Sequence, residues 1–320
     1  MGGIMKPFSK TMMLGALLVP NIAFSASDGL TQALQSVRQN CGGISELMSD
    51  LKTKAGINTA ITGAGTVAGG VALGTGIAKA QKDSKIDEIE QQLMDMLEQA
   101  SATENFEAET LYLDIDAVTA AIEKGRADEA KRKELISELK TLTAESKKLG
   151  NVRTGTMAAA TVTNIAGAAI AGTNKVDEDL SARIGACVSS VKRLADVKMQ
   201  AHIEGSATSA EIAQVDKIIS ACDKWSTVDL SPINKRATGA AVSSGIGAGF
   251  GLIGTITSVS ANSDKVRSGD AKQEKNLNTV SNVMAGTTAA ASLTSTIFNA
   301  TQISAIKHAA TVADECQGAL

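Results

Sequence analysis

Four stretches of this chain carry no charged side chain, and their lengths limit the folds open to it. They cover 55–78, 154–174, 237–263 and 276–306, which is 24, 21, 27 and 31 residues. Each is long enough to cross about 30 Å of hydrocarbon as a helix. Each is filled with Gly, Ala, Ser and Thr rather than Leu, Ile or Phe. Aromatic residues make up 2% of the chain, so large rings do not fill its interior.

The glycines within these stretches carry a pattern. Gly65 and Gly69, Gly70 and Gly74, Gly245 and Gly249, and Gly247 and Gly251 are spaced by four. On a helix such a pair shares one face, and a neighbouring backbone can approach it closely. In water each interior glycine costs about 1 kcal/mol relative to alanine. Inside a bilayer the unpaired backbone is the worse alternative, so helix is retained. The reading is therefore of helices that pack through small faces and insert in a membrane. Scarce Leu, Ile and Phe, together with Asn58, Asn164, Asn278 and many threonines, make each segment marginal as an isolated span.

Two glycine motifs have a different superficial meaning. "GAGTVA" (63–68) and "GFGLIG" (249–254) match the dinucleotide fingerprint, with Asp83 and Asp270 downstream. Neither follows a β-branched strand, and both lie inside longer Ala/Gly runs, so phosphate binding is not expected.

The cysteines reveal an internal repeat. Cys41 and Cys222 are 181 positions apart, as are Lys54 and Lys235, and each lysine directly precedes or lies beside an uncharged run. Cys187 and Cys316 are 129 apart, and Val152 and Met157 align with Val280 and Met284 at 128 and 127. Each half thus reads cysteine, uncharged segment, loop, uncharged segment, cysteine. The first half (27–200) carries an extra charged insertion, 84–148; the second half is 201–320. The fold expected is all-α, two tandem helical hairpins embedded in a membrane. The repeat favours the disulfides Cys41–Cys187 and Cys222–Cys316. Of the three possible connectivities, one with Cys187–Cys222 is the rival, because 187–203 and 210–222 read as a short helical hairpin.

The insertion is a different material. Ile86, Ile89, Leu93, Met96 and Leu97, then Leu135, Leu139 and Leu142, recur at helical spacing among charges. It reads as amphipathic helices with a turn at Gly125–Arg126, and is a candidate for docking a protein partner.

The first 26 residues read as a signal peptide: Lys6 and Lys10, a short apolar run, then "AFSA". Export into an oxidising compartment suits four cysteines. With the cysteines on the exported side, the connecting loops place Lys79, Lys82, Lys85, Lys147, Lys148, Lys265, Arg267, Lys272 and Lys275 on the other side, a modest positive-inside bias set against Lys52, Lys54, Lys235 and Arg236 on the exported side. A net charge of −3 offers no footprint for nucleic acid. There is no G-x-S-x-G, no H-E-x-x-H and no C-x-x-C, and two histidines leave little for acid–base chemistry, so neither enzyme activity nor a metal or cofactor is expected. The expected role is that of a bacterial envelope protein, structural or pore-forming, that self-associates through its small faces. It is placed in the inner membrane and periplasm in preference to an outer-membrane or secreted location. The alternative is a soluble exported helical bundle that binds another protein.

Overall fold

The computed structural model describes residues 28–103, 115–263 and 271–320, and no strand occurs among them. The signal peptide, the tip of the insertion and the connection at 264–270 lie outside the described residues. The helices are α1 (Asp28–Cys41), α2 (Ile44–Thr103), α3 (Ile115–Thr173), α4 (Glu178–Ile203), α5 (Ser209–Cys222), α6 (Ser231–Ala261) and α7 (Ala271–Ala319), with a 3₁₀ turn at Asp223–Thr227.

Four of these build a bundle. Helix α2 packs on α3 and α7, and α6 packs on the same two, so α2 faces α6 and α3 faces α7 across the axis. Neighbours run antiparallel: Asn58 of α2 bonds Asn299 of α7, while Lys79, further along α2, bonds Glu274, further back on α7. The inward positions step by four and three residues. On α6 they are Ala237, Ala240, Ser244, Gly247, Gly251, Gly254, Ser258 and Ala261. On α7 the same rhythm runs from Asn278 through Ser281, Ala285, Thr288, Ser292, Ser295 and Asn299 to Gln302. That is a heptad a/d seam of 3.5-residue period, the pattern that winds helices into a left-handed supercoil.

Outside the bundle the chain turns sharply twice. Gly43 (φ 78°) ends α1 and lets α2 begin, and Gly205 (φ 66°) ends α4. At the second turn Ser206 N–H donates to Ala201 and Gly205 N–H donates to His202, a Schellman closure that only a left-handed residue completes. Thr208 and Glu211 then form a capping box on α5. Helix α6 starts with Pro232 in its first turn, and Asp229 just before it accepts from the Ser231 amide and hydroxyl. Those bonds hold the Asp229 carboxyl below the usual carboxylate range.

The helices α1, α4 and α5 form a cap at one end of the bundle, around Leu30, Met48, Leu194, Ile218 and Trp225. Two disulfides tie it, Cys41–Cys187 and Cys222–Cys316. This is the connectivity that the repeat favours. The bridges close 146 and 94 residues, and in the chain-entropy account each restricts the unfolded chain by about 5 kcal/mol. They also sit together: the sulfurs of Cys41, Cys222 and Cys316 lie within 4.8 Å of one another, all three inside disulfides rather than available as thiolate ligands. Partial reduction is therefore expected to yield crossed pairs, Cys41 with Cys222 or Cys316, by thiolate attack on the neighbouring bridge. Peptide mapping after limiting reductant should find them; recovery of only native pairs and free thiols would contradict the proximity.

At the other end the insertion differs from its expected form. It is not a separate helical unit with a turn at Gly125–Arg126. The backbone stays helical through both residues, and α2 and α3 run unbroken out of the uncharged segments into it, over 60 and 59 residues. The reason is that helix packing resumes beyond the buried Lys79–Asp83–Ser146 contacts. Ile89, Leu135 and Leu142, with Ile86, Leu93, Met96 and Leu139 around them, continue the α2–α3 contact with large side chains in place of small ones.

Candidate functional site

The central part of the bundle has its polarity reversed, and this is the feature most in need of a functional explanation. Apart from Met157, the buried side chains there are polar or very small. Asn58 and Thr62 of α2, Arg153 and Asn164 of α3, Ser244 and Ser258 of α6, and Asn278, Ser292, Ser295, Asn299 and Gln302 of α7 are all buried. The large apolar side chains face outward. Val67 is 67% exposed, Val162 65%, Val242, Ile256 and Val283 57% each and Ile297 55%.

The interior is built in layers. Nearest the cap, Gln302 Nε2 donates to the Asn174 carbonyl at 2.8 Å, and Asn58 Nδ2 donates to Asn299 Oδ1 at 2.9 Å. Next, the Ser244 and Ser295 hydroxyls pair at 2.7 Å, and Ser295 also donates to the Ala240 carbonyl. Then Asn164 and Ser292 bond reciprocally at 2.8 and 3.0 Å. Below them Ala72, Met157 and Ala285 form a small dry layer with Leu73 and Met284. Most interior threonines return their hydroxyl to the carbonyl one turn back, so they need no partner helix.

The layer at the far end is charged. Arg153 is fully buried, and its guanidinium donates to Ser258 Oγ at 3.2 Å, Asn282 Oδ1 at 3.1 Å and Asn278 Oδ1 at 3.0 Å. One turn further out, the buried Lys79 ammonium bonds Asp83 at 2.6 Å and Glu274 at 2.8 Å. Asp83 also accepts from Ser146 and from Asn278 Nδ2. All four helices contribute, and two cations balance two carboxylates. Each charge is hydrogen-bonded, which is the condition for burying it.

The eight glycines singled out by spacing divide into two sets. A Cβ on Gly65 would lie 2.6 Å from Thr163 Oγ1, on Gly69 3.0 Å from the Ala289 Cα, on Gly247 2.9 Å from Asn164, and on Gly251 2.5 Å from Thr161 Oγ1. These four are contact points. Gly70, Gly74, Gly245 and Gly249 have nothing within 4 Å of a built Cβ, and within this chain they pack against nothing. Spacing by four fixes a shared face but not its direction. The heptad seam fixes the direction, and it also picks out close approaches that the spacing overlooked, at Gly76 against Asn282, Gly150 against Asn262 and Gly254 against Met157. No sequence signal marks Arg153 as buried. It lies one residue before the uncharged run at 154–174, where a basic residue reads as the edge of a loop.

The other chemistry is sparse. His202 and His308 are exposed, on α4 and α7. Among the described residues no His, Cys, Asp or Glu group is placed to hold a metal apart from the disulfide sulfurs. Comparison of the chain with models of protein families, with curated proteins and with solved structures finds no match.

Proposed function

We propose that this chain is an integral membrane protein of a cell envelope, whose four long helices cross the bilayer as two tandem hairpins. Its role is structural: it holds the disulfide-tied cap on the exported side and the α2–α3 coil on the opposite side. The observation that carries this reading is the reversed polarity. A bundle in water buries its large apolar side chains, whereas a bundle in lipid gains nothing from doing so and packs through small and polar ones.

Dimensions and composition agree with it. Within the uncharged stretch of α2 the outward apolar side chains extend from Ile57 to Ile77, 20 residues apart, or about 30 Å along the axis. Two helical stretches, one within 28–96 and α6, are long and apolar enough to cross a membrane. The two disulfides support an exported position for the cap, since such bridges persist in oxidising compartments. The Lys79–Arg153 layer then lies at the opposite boundary, where basic residues are favoured. Pairs 128 residues apart meet across the axis, Asn164 with Ser292 and Asn174 with Gln302, as a duplicated hairpin would place them. Close helix contacts such as Gly69 on Ala289 leave little room for a conduit, which favours a structural role over a pore. The chain is not expected to be an enzyme, and the α2–α3 coil remains the surface offered to a protein partner.

The test is to place charge on the outer face. Leu252 and Ile256 are 54% and 57% exposed on α6. Changing both to Asp should cost about 5–7 kcal/mol of insertion on the translocon scale. The wild type should stay in the membrane pellet through carbonate extraction, and the double variant should be lost from it. A wild type released by carbonate, with a variant that accumulates normally, would favour the soluble bundle instead.

A further inference from the structure

We propose that the cleft where α2 meets the α3–α4 junction binds the headgroup of a phospholipid bearing a primary ammonium, a phosphoethanolamine type, from the exported leaflet. The inference rests on the membrane reading above.

The cleft has a volume of about 660 Å³ and lies between the start of α2 and residues 173–183. Its depth in the membrane follows from the apolar belt. Lys54 on its wall is three residues from Ile57, the first exposed apolar residue of the uncharged stretch of α2, so about 4.5 Å along the axis. That is headgroup depth.

Its charges are mixed, and they are not all paired. Lys54 bonds Asp50 at 2.8 Å, with both side chains about half exposed, so this pair is weak and open to exchange. Asp177 is occupied by capping the Leu180 amide. Lys175, Arg183 and Asp179 also line the cleft, and none of them has an ion pair among the described residues. Two free cations and one free carboxylate complement a phosphodiester and an ammonium in one molecule. A guanidinium and an ammonium suit the phosphate. A carboxylate suits a primary ammonium, which donates hydrogen bonds that a quaternary choline lacks. Leu47, 37% exposed at the rim, and the apolar face from Ile57 onward offer a path for the acyl chains.

The experiment is native mass spectrometry of the detergent-purified protein, titrated separately with dioleoyl phosphatidylethanolamine, phosphatidylcholine and phosphatidylglycerol. One ethanolamine lipid should be retained at least ~10-fold better than the other two. Lys175→Ala with Arg183→Ala should remove retention of all three, while helical content and disulfides stay intact. Asp179→Asn should keep phosphate-dependent retention but abolish the preference for ethanolamine over choline. Lys217→Ala, on α5, should change nothing. Equal retention of the three lipids, or a Lys175/Arg183 variant that behaves as wild type, would overturn the proposal. So would displacement by millimolar inorganic phosphate as complete as that by phosphoethanolamine, because the cleft would then recognise a soluble anion. A protein recovered in carbonate without detergent would overturn the membrane reading; a membrane-embedded protein without headgroup preference would overturn the cleft alone.

Discussion

Gly69→Leu is expected to destroy the folded bundle, while Gly70→Leu, one residue along, leaves it intact. A Cβ on Gly69 would lie 3.0 Å from the Cα of Ala289 and 3.1 Å from its nitrogen. These are backbone atoms of a packed helix and have no rotamer by which to yield. A leucine there forces α2 and α7 apart and so breaks the Asn58–Asn299 and Lys79–Glu274 contacts on either side of it. Overpacking of this kind costs about 3 kcal/mol or more when the obstacle is backbone. Gly70 has nothing within 4 Å, so its leucine points outward and relieves the interior-glycine penalty of about 1 kcal/mol. Gly249→Leu belongs with Gly70→Leu for the same reason. Thermal unfolding followed by circular dichroism in mild detergent, with alkylation of exposed cysteines after brief reduction, separates the outcomes. Equal behaviour of Gly69→Leu and Gly70→Leu would show that the helix faces are assigned wrongly.

The second large effect is expected at Arg153. Its replacement by Leu leaves Asn278 Oδ1, Asn282 Oδ1 and Ser258 Oγ without their donor, and leaves Lys79 alone against Asp83 and Glu274. Removing one member of a buried charged network costs about 3–5 kcal/mol. Arg153→Lys should recover only part of this, because one ammonium on a flexible stem cannot span three acceptors on two helices as a planar fork does. Adding Glu274→Gln to Arg153→Leu should return some stability by restoring neutrality. The midpoint of thermal unfolding ranks the series. An Arg153→Leu protein as stable as wild type would mean that the layer carries no net stabilisation, which is the known fate of some buried ion pairs.

Much of the architecture was legible because it is written in local terms. The helical segments, the short α4–α5 hairpin and the pairing of Cys41 with Cys187 follow from residues near each other or from landmarks that recur. What was not legible depended on direction. Gly245/Gly249 and Gly247/Gly251 interleave on one helix, and four-residue spacing describes both pairs equally well. The alternation of three and four through Ala237, Ala240, Ser244, Gly247 and Gly251 was the available signal that chose between them. Asn58, Asn164 and Asn278 read along the sequence as defects in would-be spans. In the bundle they face the interior, where hydrogen bonds across helices turn a cost of insertion into a means of register. The run of charge at 84–148 looked like a boundary because charge was used to mark segment ends. The α2–α3 contact crosses that boundary, polar at Lys79, Asp83 and Ser146 and apolar again from Ile86 and Leu142 onward.

The continuity of α2 has a mechanical consequence. Its 60 residues make a rod about 90 Å long. It starts beside the disulfides at Gly43 and runs through the layered interior into the coil, and α3 returns alongside it. No proline or left-handed residue interrupts α2, so it has no joint. A twist applied to the cap about the rod's long axis cannot be absorbed midway. It must emerge as an equal rotation at the Met96 level of the coil or else unwind a turn of helix. The pair α2–α3 is built to transmit twist as a shaft does, held together by small side chains in the bundle and by large ones in the coil.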